Sequence, residues 1–197
     1  MKKIIAYMLI LLLLVAPGCQ QKDADAAPAP TQAPPAPTAA PSPEASGEYA
    51  FTFSAQTLEG ETVTEAFLGQ YDLTMVNVWA SWCPPCKGEL GELGELYKKL
   101  PENVGFLSVT VDDAQDLPEA KALLEEHGCA FVCLDGQESP GLLKGFLSKV
   151  TAIPTTLFLD KNGNEVGQWI VGVPRSSSVT DAYMAEIQAR LDTLNGK

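Results

Sequence analysis

The sequence predicts an α/β fold: a mixed β-sheet held between helices and finished by an antiparallel hairpin. Three observations carry the prediction. Segments of strand-type and helix-type apolar pattern alternate from about residue 49 onward. The run LTMVNVW at residues 73–79, apolar and rich in β-formers, leads straight into two cysteines and a helical pattern. The last two strand-type segments are separated only by Lys161-Asn162-Gly163-Asn164, a turn whose glycine can take a positive φ.

Taken in order, residues 49–54 and 62–64 read as a short strand pair around the Glu59-Gly60 turn. Residues 73–79 are a buried central strand, and residues 84–100 a helix with Cys86, Glu89, Leu93, Leu96 or Tyr97, and Leu100 recurring on one side. Residues 104–111 form a second central strand, residues 116–127 a helix ended by Gly128, and residues 130–134 another strand. A helix over 139–150, a strand over 155–160, its antiparallel return over 165–171 and an amphipathic helix over 176–194 complete the domain.

The first 48 residues have a different character. Lys2 and Lys3 precede twelve apolar residues, 4–15, which are too few to span a membrane comfortably and fit the apolar core of a signal peptide. Ala16-Pro17-Gly18-Cys19 follows and resembles a bacterial lipobox, whose cysteine is lipidated and becomes the first residue of the mature chain. An aliphatic residue usually stands where Ala16 does, and Pro17 is unusual; ordinary secretion is the alternative outcome. Residues 20–48 hold seven prolines and nine alanines with almost nothing to bury in a core. Such a stretch reaches from about 30 Å as a coil to about 90 Å as polyproline II, and is expected to act as a tether. The expected organisation is therefore 1–19 signal peptide, 20–48 disordered tether and 49–197 folded domain. Without the leader's two lysines the chain carries 11 basic and 25 acidic residues, a net of −14, which suits neither nucleic acid nor anionic headgroups.

The chemistry centres on WCPPCKGE, residues 82–89. Cys83 stands where a buried strand ends and a helix begins, facing unsatisfied N–H groups and the positive end of a helix dipole, which stabilises a thiolate. Pro84 and Pro85 occupy the first turn, where a missing N–H is harmless. A disulfide across so short a segment constrains little of the unfolded chain, so a structural staple is a weak reading. A zinc site needs two more ligands, for which Cys129 and Cys133 are available, but prolines within the first pair are not typical of a zinc knuckle. A redox pair is the leading reading.

VNVWASWCPPCKGEL (residues 76–90) resembles the active-site strand and helix of the TlpA/ResA-like branch of the thioredoxin superfamily, and TAIPTTLFLDKNG (151–163) resembles its second active-site segment. The likeness spans about residues 49–194, with the two motifs in the expected order. It implies a thioredoxin-like fold with an N-terminal hairpin and a central helix–strand insertion over 110–135. It also implies Cys83 as the attacking and Cys86 as the resolving cysteine. Pro154 would be the cis-proline facing them, with Trp82, Ile153 and Pro154 meeting an extended substrate segment. Plain thioredoxins keep a buried aspartate where Asn77 stands, whereas this branch places a glutamate three residues after the second cysteine, here Glu89. Helical spacing puts Glu89 on the side of Cys86, where it could relay that thiol's proton.

The chain departs from the branch in several places. Gly91 replaces a usual kinking proline, and Gly88, Gly91 and Gly94 recur in a helix where each costs up to about 1 kcal/mol relative to alanine. Cys129 and Cys133, if the backbone between them is extended as in a strand, would be about 13 Å apart, too far for a disulfide, and read as inert buried thiols. His127, the only histidine, is expected to cap a helix.

The expectation is a membrane-tethered thiol-disulfide oxidoreductase that reduces disulfides in extracytoplasmic proteins and is recharged by a membrane thiol–disulfide reductant, without cofactor or metal. A disulfide oxidase or isomerase of the same fold is the alternative. A copper chaperone is disfavoured by the cysteine spacing, and a thiol peroxidase by the paired cysteines.

Overall fold

The computed structural model of the chain describes residues 48–196; the predicted leader, Cys19 and nearly all of the tether lie outside the described residues. β1 (Ser54–Gln56) and β2 (Thr62–Thr64) form a two-stranded antiparallel hairpin. Thr57 Oγ1 closes its turn by accepting from the N–H groups of Glu59 and Glu61, and Gly60 takes φ +89°. The first strand starts later than predicted. Phe53 N–H donates to the Glu65 carboxylate instead of a ladder, and Phe51 packs edge-on against Phe146. Residues 65–70 form a 3-10 helix that the pattern did not signal.

The main sheet has the order β5-β4-β3-β6-β7. β3 (Leu73–Trp79), β4 (Val104–Thr110) and β5 (Val132–Asp135) run parallel, while β6 (Thr155–Asp160) and β7 (Ile170–Val171) continue it antiparallel. α1 (Pro84–Tyr97) follows β3, and α2 (Leu117–Glu126) lies between β4 and β5. α3 (Pro140–Gly145) and α4 (Val179–Leu194) complete the layers. This is the predicted thioredoxin-like architecture.

β3 is buried along its whole length, and its two faces divide the core by the two-residue alternation of a strand. Leu73, Met75 and Trp79 face Leu90 and Leu93 of α1 and Tyr183 and Ile187 of α4. Val76 and Val78 face Leu142, Phe146 and the N-terminal Phe53. The parity places Asn77 on the α1/α4 face. On β6, Phe158 is on that same face, so Thr156, which pairs with Asn77 in the ladder, is there too.

Three other boundaries differ from the sequence reading. The predicted helix over 139–150 is α3 plus a 3-10 turn (Leu147–Lys149), broken at Phe146 with φ −145°. The return strand over 165–171 shortens to two residues, with one bridge from Glu165 to Leu159, because the buried Arg190 guanidinium takes the carbonyls of Val166 (3.0 Å) and Gln168 (2.8 Å). α4 starts at Val179, where the Ser178 hydroxyl accepts from Asp181 N–H.

Candidate active site

The site is built where β3 gives way to α1. Beyond Trp79 the chain is held to the end of β4 by Asp112, a fully buried carboxylate. Asp112 accepts from Ser81 N–H (2.9 and 3.1 Å), the Ser81 hydroxyl (2.7 Å) and the Thr110 hydroxyl. Two residues later Cys83 caps α1, its Sγ accepting from Cys86 N–H at 3.3 Å while Pro84 and Pro85 fill the first turn. The helix start thus aims one of its orphan donors at sulfur.

Cys83 and Cys86 form a disulfide with Cα atoms 5.3 Å apart. Cys86 is fully enclosed and Cys83 is 4% exposed. Cys83 Sγ lies 3.7 Å from the Ile153 carbonyl oxygen, and the Ile153–Pro154 peptide is cis. That loop is braced from both sides: Thr155 Oγ1 donates to the Ala152 carbonyl, and Gly172 N–H donates to the Pro154 carbonyl at 2.8 Å. Trp82, next to Cys83, is 60% exposed, as is Val171 (61%) at the sheet position opposite Thr155.

Glu89 is enclosed, 1% exposed. Its Oε1 accepts from Asn77 Nδ2 at 3.1 Å and its Oε2 from the Tyr183 hydroxyl at 3.2 Å. Burial raises its pKa to about 7, against the pull of those two hydrogen bonds. Sequence spacing brought Glu89 to the side of Cys86; the partners from β3 and α4 were not anticipated. The one available signal for Asn77 was a polar residue inside an otherwise apolar strand. Glu92, one turn further, is also more than a surface charge. It accepts from Thr180 N–H at 2.9 Å, tying α1 to the start of α4, and that bond holds its carboxyl below the usual range.

Among the described residues the other cysteines, Cys129 and Cys133, are both free. Cys129 lies before β5, half-buried where a buried thiol was expected, and donates to the Leu90 carbonyl at 3.3 Å, whereas Cys133 is buried within the strand. Burial pushes Cys129 up to about 11 and Cys133 up to about 12, the range of unreactive thiols. His127 stands at the C-cap of α2, and its carbonyl is 3.4 Å from where a Cβ on Gly94 would sit. The glycine repeat is thus partly a close approach of that corner to α1, whereas Gly88 faces open space. Among the described residues no group of three His, Cys, Asp or Glu could hold a metal ion.

A protein-family model described as the AhpC/TSA family matches residues 46–167. The chain is also 37% identical over 148 residues to the thiol:disulfide interchange protein DsbE homolog of Paracoccus denitrificans, covering 74% of this chain and 76% of that protein. The chain belongs to the AhpC/TSA family, as a thioredoxin-superfamily thiol-disulfide oxidoreductase. This oxidoreductase is 29% identical over 143 residues to thiol-disulfide oxidoreductase ResA of Bacillus thuringiensis, covering 72% of this chain and 78% of that one. Among solved structures, a thiol:disulfide interchange protein of the thioredoxin family from Chlorobium tepidum superposes with a TM-score of 0.60 at 27% identity, covering 75% of this chain and 99% of that chain. A redox-active cysteine pair on this fold is an apparatus for disulfide exchange.

Proposed function

We propose that this chain is a protein-disulfide reductase held by a lipid on Cys19 at the extracytoplasmic face of a bacterial membrane, with residues 20–48 as its tether. The observation that carries the reading is the pair itself: Cys83 at the helix cap with its sulfur beside the Ile153 carbonyl, Cys86 sealed beneath it, and a buried carboxyl one turn further along α1. The names of its relatives, a thiol:disulfide interchange protein and a thiol-disulfide oxidoreductase, support the same chemistry. The apolar leader and Cys19 support the location.

In the reduced chain the Cys83 thiolate attacks one sulfur of a substrate disulfide. The substrate S–S bond breaks, a Cys83–substrate mixed disulfide forms, and one substrate thiolate leaves. Ile153, with its carbonyl beside Cys83, pairs with the extended substrate segment, and Trp82 covers its apolar side chains. Cys86 then gives its proton to Glu89 and attacks Cys83 sulfur. The mixed disulfide breaks, the second substrate thiolate leaves, and the Cys83–Cys86 disulfide forms. Two electrons have moved to the substrate, and a membrane dithiol returns the pair to its reduced state. A carboxyl with pKa about 7 both accepts and returns a proton near neutral pH.

The test is trapping. Cys86→Ser is expected to accumulate mixed disulfides with exported proteins, while Cys83→Ser accumulates none. Trapping by Cys83→Ser would reverse the two roles.

A further inference from the structure

Glu89 belongs to a closed ring of hydrogen bonds drawn from four elements. Asn77 Nδ2 of β3 lies 3.1 Å from Glu89 Oε1 and 3.2 Å from Thr156 Oγ1 of β6. Thr156 Oγ1 lies 3.1 Å from the Tyr183 hydroxyl of α4, which lies 3.2 Å from Glu89 Oε2. All four side chains are enclosed by the core. Hydrogen counting sets the direction of each bond. The two Asn77 amide hydrogens go to Glu89 and Thr156. The single Tyr183 hydrogen goes to Glu89, so the Thr156 hydroxyl donates to Tyr183. Every donor path in the ring ends on the Glu89 carboxylate, and only Asn77 Oδ1 is left without a partner.

We propose that Tyr183, oriented by Thr156, is a positioning residue for the redox reaction: by donating to Glu89 it sets how readily that carboxyl takes the proton of Cys86. An enclosed carboxylate without such a donor would hold its proton to higher pH and be less ready to accept another. A hydroxyl donor to an ionised carboxylate is a charge-assisted bond, stronger than any it makes to the neutral acid, so it favours the ionised state. Tyr183 suits this use because it stays a donor: burial and the adjacent Glu89 push its own hydroxyl well above the usual tyrosine range. The titratable groups facing Glu89 are Cys86, one turn earlier on α1, and Tyr183 on α4. β3 and β6 present the uncharged Asn77 and Thr156, and Glu92 turns its carboxylate away to Thr180. The link to thiol chemistry rests on the proton-accepting role of Glu89 proposed above.

The experiment uses the full chain labelled with ¹³C-carboxyl glutamate, with Glu89 identified as the resonance missing from Glu89→Gln. In the oxidised chain, where neither active-site sulfur titrates, Tyr183→Phe should raise the Glu89 midpoint by about one pH unit. Thr156→Val should raise it by less, and Thr156→Ser should leave it in place. In the reduced chain, in a Cys129→Ser background, the Ellman reagent reads the second step: Cys86 expelling the thiolate bound to Cys83. The pH midpoint of that step should rise with the carboxyl midpoint in Tyr183→Phe. An unmoved or lowered carboxyl midpoint in Tyr183→Phe overturns the proposal. So does a Glu89→Gln variant that alters the second step while Tyr183→Phe does not. A carboxyl midpoint that moves while neither variant alters the second step refutes instead the proton-accepting role of Glu89.

Discussion

Replacing Glu89 by glutamine should change how the stability of the fold depends on pH. In the folded chain this carboxyl titrates at about 7, against 4.5 for an ordinary glutamate. Between those values the folded chain holds a proton that the unfolded chain has released. Stability contributed by that proton is complete below about pH 4.5 and is lost as the pH rises to about 7, then stays constant. Each tenfold change in proton affinity is worth about 1.4 kcal/mol, so the loss across the window is about 3 kcal/mol. The glutamine variant would not incur it. Its new side-chain oxygen can accept from Asn77, and its amide can donate to Tyr183, which then turns its own hydrogen to Thr156.

The assay is urea unfolding of the oxidised chain at intervals from pH 4 to pH 8, wild type against Glu89→Gln. The other carboxylates contribute the same slope to both proteins and cancel in the difference. The two should be of similar stability at pH 4, with the variant more stable by about 3 kcal/mol at pH 8. A difference that does not change with pH would refute the reasoning, because it would mean that Glu89 holds its proton no more tightly in the folded chain than in the unfolded one.

Three further outcomes are expected. The Cys83–Cys86 potential, measured against glutathione and dithiothreitol buffers, should lie nearer about −270 mV than about −120 mV, since no histidine stands between the cysteines and an ionised Glu89 disfavours a thiolate; a value above about −180 mV would instead support an oxidase or isomerase. Gly88→Ala should stabilise α1 by up to about 1 kcal/mol in urea melts, because nothing lies within 4 Å of its new Cβ, while Gly94→Ala should gain less against the His127 carbonyl at 3.4 Å. Wild-type protein should fractionate with membranes and release its domain on light proteolysis, whereas Cys19→Ala should become soluble; equal membrane binding of the two would remove the lipid anchor.

The central strands were legible because burial on both faces writes a continuous apolar run, so β3 and β6 have the bounds that the pattern predicts. The edges were not. β1 and β7 are short, and side chains remote in sequence decide where they stop: Glu65 takes the Phe53 N–H, and Arg190 takes the carbonyls that would extend β7. The cysteine motif likewise announced its own chemistry, because strand, cap and helix lie within a few residues. The partners of Glu89 did not. Tyr183 is 94 residues away, on a helix whose pattern reads only as amphipathic, and its hydroxyl reaches the carboxyl only after α4 packs on α1.

The register of β3 against β6 explains why residue 77 is an asparagine in this chain. Residue 77 faces α1 by strand parity, opposite Thr156, and its side-chain amide meets the Glu89 carboxylate at 3.1 Å. An aspartate here, as plain thioredoxins have, would set two carboxylates at hydrogen-bond distance in a site closed to water. Only one of them could ionise, and the other would hold the shared proton. With asparagine, the strand supplies a donor, and the single carboxylate comes from the helix that carries Cys86. The acidic group thus stands not on the sheet but on the helix bearing Cys86, one turn along the same face. The sheet and α4 are left with the complementary task of donating hydrogen bonds to it, and each of Asn77, Thr156 and Tyr183 has the chemistry for that task.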